Sequence, residues 1–301
     1  MTDYAELNLG AGGIKASMDD LGAMKVQRVK VQTGVDGAAA DVNDTNPMPV
    51  AEFKQLVLEG RVPGYSIMAT MGEMESAGTT ATGEDVWRGT DAGGPVVQPL
   101  PLDAGEQMSV VSSSANDAAA GTGIQKVEVH YLDETGAAGS EIVTLNGTTP
   151  VNLAYATVRY VQSMHATEVG SNGVAAGHVS IYKTSGAIAT DLYNLIAANG
   201  NASLVPSRMV PLGKTLYLRE IHFEEAQGKR CAFRVRSTDA DGVLIPRVFV
   251  FKGGTYIKQS ATGMITMGME VPALSVIKVT AFPDTAGADG STCWWGYLVD
   301  D

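Results

Sequence analysis

The chain has 301 residues, of which 18% are charged, 6% are aromatic and 35 are glycine, and its formal net charge is −12. That acidic balance, with Lys229, Arg230, Arg234 and Arg236 as the densest basic group, lacks the clustered cations that neutralise phosphates, so no nucleic acid is expected as a partner. No window approaches the ~18 apolar residues of a spanning helix, and the acids Asp3 and Glu6 stand where a secretory leader would be basic, so no membrane partner is expected either.

Sparse Lys and Glu with abundant Gly disfavour a helix-rich enzyme and favour short strands joined by many turns. The two cysteines, Cys231 and Cys293, sit in apolar strand-like runs, which favours two buried free thiols in a reducing compartment.

Residues 1–48 form an extended Gly/Ala-rich N-terminal arm with one convincing strand at 24–32, where Val26, Val29 and Val31 lie among basic and polar neighbours. Such a segment buries too little apolar surface to fold alone, so neighbouring subunits are expected to hold it. Residues 49–104 read as a short helix and linker, an anchoring region. Asn46-Pro47-Met48-Pro49 is a stiff tether, and in residues 50–59 Phe53, Leu56 and Val57 fall at i, i+3, i+4 before Gly60, the pattern of one short helix. Met71 and Met74 belong to a methionine-rich stretch suited to adaptable packing, at a core edge or a subunit contact. Trp87 is the large side chain that would pin the Gly/Thr/Pro-rich linker across a surface.

Two β blocks follow, 105–205 and 206–301. In residues 125–132 Val127, Val129 and Tyr131 alternate with Lys126, Glu128 and His130, the period of a half-buried strand. A loop at 133–139 leads to a strand at 140–145, and Asn146-Gly147 predicts a hairpin that returns as 148–153. Further strands are expected at 157–166 and 178–184, and 191–198 reads as a helical turn or a strand-end crossover. In the second block strands are expected at 216–224, 231–237, 248–252, 264–271, 275–281 and 294–299, with turn residues between them. The fold class is therefore mainly β: an extended arm with one short helix, then one or two antiparallel β-sandwich domains of jelly-roll-like character.

The string SSSANDAAAGTG at 112–123, the strand after it, the LDxxG-like turn and the run from Glu141 to Val151 are together similar to a module of tailed-bacteriophage virion structural proteins. Pro211 to Leu218 (PLGKTLYL) resembles the usual continuation of that module, and the stretches at 26–37 and 46–50 resemble the leader of many phage virion proteins. The resemblance implies a non-enzymatic structural component of the virion, assembled in the host bacterial cytoplasm. It would be exterior, as capsid decoration, tail fibre or adaptor. It also implies other virion proteins (capsid, portal, tail or fibre) as partners and a homo-oligomer, a trimer by expectation. It carries no functional residue.

The residues themselves assign no catalytic site, metal or cofactor. His130, His165, His178 and His222 lie far apart without ligand spacing. Asp239-Ala240-Asp241-Gly242 begins like a calcium loop, but Val250 stands where the closing carboxylate belongs. Glu224, Glu225 and Glu141 are the candidate carboxylates for polysaccharide cleavage, a third reading, but Glu224 and Glu225 are adjacent on a strand and point to opposite faces, so those two do not form the pair. No G-x-S-x-G elbow is present, and Gly10-Ala11-Gly12-Gly13 lacks the strand and the Lys-Ser/Thr of a phosphate loop. Phe53, Leu56, Val57, Trp87, Met71 and Met74 are the expected interface or anchor residues. Alternation through Trp294, Trp295 and Tyr297 puts one tryptophan inside and Trp295 outside, so Trp295, Tyr297 and Tyr256 form an expected glycan- or partner-binding platform, the alternative function.

Overall fold

The structure is a computed structural model that describes residues 53–79, 82–238 and 269–301 in full, and further strands at 4–41, 244–252 and 261–268 by backbone alone. The candidates Tyr256, Asp239-Ala240-Asp241-Gly242 and Gly10-Ala11-Gly12-Gly13 lie outside the described residues. Two compact units are present, Met1–Glu59 and Gly60–Asp301. In the first, β1 (Tyr4–Glu6), β2 (Lys15–Leu21) and β3 (Met24–Arg28) form an antiparallel sheet, β4 (Gln32–Thr33) pairs with β5 (Ala40–Asp41), and helix α1 spans Phe53–Leu58. On α1 Val57 is buried and Leu56 half-buried, whereas Phe53 and Leu58 are exposed.

The second unit begins with β6 (Tyr65–Ala77), β7 (Glu84–Asp85) and β8 (Met108–Ser112), then β9 (Ile124–Asp133), β10 (Ala138–Thr144) and β11 (Val151–Asn152). It continues through β12 (Val158–Val169), β13 (Val179–Lys183), the helical turn α2 (Ile188–Asp191), β14 (Leu192–Ile196) and β15 (Arg208–Met209). The last strands are β16 (Lys214–Glu225), β17 (Cys231–Thr238), β18 (Leu244–Lys252), β19 (Ala261–Val271), β20 (Val276–Pro283) and β21 (Ala288–Asp300). Among the described residues no helix is long and apolar enough to cross a membrane.

Two hydrophobic cores organise these strands. Sheet β10-β9-β12 faces sheet β11-β8-β13-β14 across a core that includes Met108, Val127, Val129, Ile181 and Ile196. Sheet β19-β16-β21-β6 faces β18-β17-β20, whose far edge carries β7 and β15, across a core that includes Phe223, Phe233, Val279 and Trp294. Each is an antiparallel sandwich, because alternation along every half-buried strand gives it one apolar face to cover. The C-terminal sandwich takes β6 and β7 from before the first sandwich, so the chain leaves it after β7 and re-enters at β15.

The predicted hairpin at Asn146-Gly147 is not formed. After β10, β11 pairs with β8 in the opposite sheet, and the Gly147 N–H donates to the Asp117 carbonyl (2.8 Å) while its carbonyl accepts from Ser112 N–H (3.0 Å). The dipeptide is a crossing between sheets because the 112–118 loop takes the hydrogen bonds a hairpin would have used. That loop is fixed by a buried carboxylate. Asp117 accepts from Ser112 Oγ (2.6 Å) and from the N–H groups of Ile124 (2.7 Å), Ala176 (2.9 Å) and Gly177 (2.9 Å). Gly123 must be glycine here, since a Cβ would lie 2.0 Å from Asp117 Oδ1.

The segment after β7 straps the two sandwiches together. Trp87 is buried with Leu192, Leu195 and Val205. Asp85 and Lys278 form a fully buried ion pair (2.8 Å), and the same carboxylate accepts from Gln98 N–H (2.9 Å) and Thr280 Oγ1 (3.0 Å). Gln98 reaches the first sandwich by donating Nε2–H to the Tyr193 carbonyl at 2.5 Å. A charge taken out of water is tolerated only with such saturation of its oxygens.

Candidate assembly surface

Strand β21 sets the geometry of the outer face of sheet β19-β16-β21-β6. Trp294 points into the core and donates its indole N–H to the Pro206 carbonyl (2.8 Å), so Trp295 and Tyr297 point outward, half-exposed. Cross-strand register then fixes their neighbours: Tyr217, Tyr297 and Ile67 form one row, Glu220, Trp295 and Ala69 the next, and His222, Cys293 and Met71 a third. A bulge at Arg219 between the first two rows brings its guanidinium over the Tyr297 ring, 5.9 Å from the centroid.

The aromatic rings hold one another. Tyr297 meets Tyr65 edge-on at 6.4 Å and Trp295 edge-on at 5.5 Å, and the Trp295 indole N–H donates to Glu220 at 2.8 Å. Rings fixed in this way lose little freedom when a partner covers them. Beside them runs an open groove of about 520 Å³, lined by Ala69, Met71, Glu220, His222, Cys293 and Trp295 among others. Met71 is 58% exposed on its rim. The Cys293 thiol lies on this outer face, not buried as expected, and partial burial raises its pKa, which leaves it protonated and a poor nucleophile at neutral pH.

The other expected anchors have different places. Met74 is buried in the core of the C-terminal sandwich and Trp87, part of the strap, is buried against Leu192, Leu195 and Val205, so both contact the chain itself. The acidic candidates do not converge: Glu225 is fully buried and caps the turn after β16 through Gln227 N–H and Lys229 N–H. Glu224 faces outward, and Glu141 accepts from the N–H groups of Ala154 and Tyr155 in the first sandwich. Sequence reasoning missed one grouping, in which β12 brings His165 beside Glu128 and His130 of β9. The signal was half present, since Glu128 and His130 alternate onto one face. The partner strand's register was not.

No protein-family model matches the chain, and no curated protein does. Among solved structures it is similar to one of infectious bursal disease virus, Gx strain, with 9% identity, 78% of this chain and 72% of that chain covered, and a TM-score of 0.25. It is likewise similar to T=1 particles derived from infectious bursal virus, at 9% identity, 82% and 74% coverage and a TM-score of 0.23. At TM-scores this low the likeness carries no weight for function.

Proposed function

We propose that the chain is a non-enzymatic structural component of a tailed-phage virion, on its exterior as capsid decoration or as a fibre or tail adaptor, acting through subunit–subunit assembly. The observation that carries this reading is the outer face of sheet β19-β16-β21-β6, where Tyr65, Ile67, Met71, Tyr217, Trp295 and Tyr297 lie together on one surface. Contiguous apolar surface of this kind on a folded domain marks a place where another surface belongs. The resemblance of residues 112–151 and 211–218 to phage virion modules points the same way. In this reading residues 1–48 attach to neighbouring copies or the shell, and 105–205 and 206–301 face outward.

Native mass spectrometry of the full chain tests it, with a cyclic homo-oligomer of three copies expected and dissociation expected in Trp295→Asp or Met71→Asp. A chain that stays monomeric at every concentration, or purified virions without its peptides, counts against it. The edge-on ring pair Trp295 and Tyr297 favours a second reading, a glycan-binding platform of the virion. Glycan-array binding lost in Trp295→Ala would select that reading.

A further inference from the structure

We propose that Glu128, His130 and His165 form a binding site for a divalent transition-metal ion on the outer face of sheet β10-β9-β12. The three side chains are half-buried, and one donor atom from each lies within 4.8 Å of the others. Both imidazoles turn Nε2 to the same carboxylate: His130 Nε2 is 3.8 Å from Glu128 Oε1, and His165 Nε2 is 3.4 Å from Oε2. The two rings lie nearly parallel, 17° apart with centroids 5.3 Å apart, so they approach the carboxylate side by side.

The arrangement is mounted on strands. Glu128 and His130 are two apart on β9 and share a face by the pleat. His165 stands directly opposite Glu128 in the register. It does so because β12 carries an extra residue, Gln162, between Val161 (opposite Tyr131) and Ser163 (opposite His130). Without that bulge His165 would pair with Val127 and point into the core. The bulge is thus what delivers the third donor to the outside.

Metal–nitrogen and metal–oxygen bonds of about 2.0–2.1 Å place tetrahedral ligands roughly 3.3 Å apart, so closing this set needs only rotation of exposed side chains about their own bonds. The side chains of His130 and His165 are 42% and 44% exposed, which leaves them free to make that adjustment. The neighbouring ammonium of Lys126 is engaged by Glu168 at 2.6 Å, so a second carboxylate already holds that cation. Two imidazoles and one carboxylate select zinc, cobalt, nickel or copper over calcium and magnesium, which prefer oxygen throughout. Three protein ligands on an open sheet face leave at least one coordination position to water or to a ligand from outside the chain.

The test uses the full chain, freed of any polyhistidine tag and stripped with a chelator, titrated with Zn²⁺ by calorimetry and with Co²⁺ by its visible d–d absorption. We expect one site that disappears, or weakens by about tenfold or more, in His165→Ala, His130→Ala and Glu128→Gln, while His178→Ala keeps it. Ca²⁺ should not compete. Circular dichroism of each variant checks that the sandwich is intact. Equal Co²⁺ spectra and equal Zn²⁺ stoichiometry in wild type and His165→Ala would overturn the proposal, as would the absence of a Co²⁺ spectrum in the wild-type chain at saturating metal.

Discussion

The side-chain amide of Gln162 grips the backbone of Met209 from both sides: its Nε2–H donates to the Met209 carbonyl at 2.6 Å, and its Oε1 accepts the Met209 N–H at 3.0 Å. Gln162 is the bulged residue of β12 in the first sandwich, and Met209 belongs to β15 at the edge of the second. One side chain therefore does what an added strand would do. Around it Leu132 and Tyr160 of the first sandwich pack against Met209 and Val276 of the second. Gln162→Ala removes both bonds and leaves two backbone groups to find water, so a loss of about 1–3 kcal/mol is expected. Chemical denaturation followed by a probe in each sandwich should show the two transitions drawing apart. A single coincident transition at unchanged midpoint would contradict this coupling.

Asp117 is the next place where one side chain holds many groups. Asp117→Ala orphans three N–H donors and one hydroxyl in the interior, and a cost of about 3 kcal/mol or more follows. Hydrogen exchange should localise the damage: the amides of Ile124, Ala176 and Gly177 lose protection while β16 and β21 keep theirs.

The Asp85–Lys278 pair should show strong dependence between its partners. Lys278→Met leaves a buried carboxylate short of one donor, and Asp85→Ala leaves a buried ammonium with the Gln98 carbonyl as its remaining partner, so each single change is expected to cost about 3–5 kcal/mol. The double variant should cost clearly less than the sum, since it leaves no lone charge, and a double-mutant cycle measures the difference. Strict additivity would mean that the pair is not coupled.

The two thiols should separate by reactivity. Burial pushes the Cys231 thiol up to about 12, and it lies inside the core, so it should resist alkylation until the chain unfolds. Cys293 is exposed, with a thiol raised by desolvation, so it should react in the native state, slowly at neutral pH and faster as the pH rises. Peptide mapping after a short pulse of iodoacetamide reads both sites. A disulfide between them would contradict the structure, which has both free.

What the sequence displayed depended on which faces of a strand are buried. β9 is legible because Val127, Val129 and Tyr131 turn inward between polar neighbours, and β16 and β21 are legible for the same reason and by their turns. β6 shows in the sequence only as a methionine-rich stretch. Its two faces are both apolar, Met68 and Met74 on the core and Ile67, Ala69 and Met71 outside, so no period of two survives. β14 reads as either helical turn or crossover because all five of its residues are buried. Asn146-Gly147 misled for another reason, since local turn chemistry predicts a hairpin only when the two flanking strands are each other's partners. The aromatic half of the outer face could be read from Trp295 and Tyr297, but its Met71 half needed β6. The histidine grouping needed a register that no local pattern announces.

Gln162 also stands outside the pairing of β12, since Val161 opposite Tyr131 is followed on the ladder by Ser163 opposite His130. A deletion there would unfasten the two halves yet leave Ser163 opposite His130, Met164 opposite Val129 and His165 opposite Glu128, so the outer face would keep its residues. Docking and surface chemistry are thereby separate traits, and a lineage could trade away the first while keeping the second.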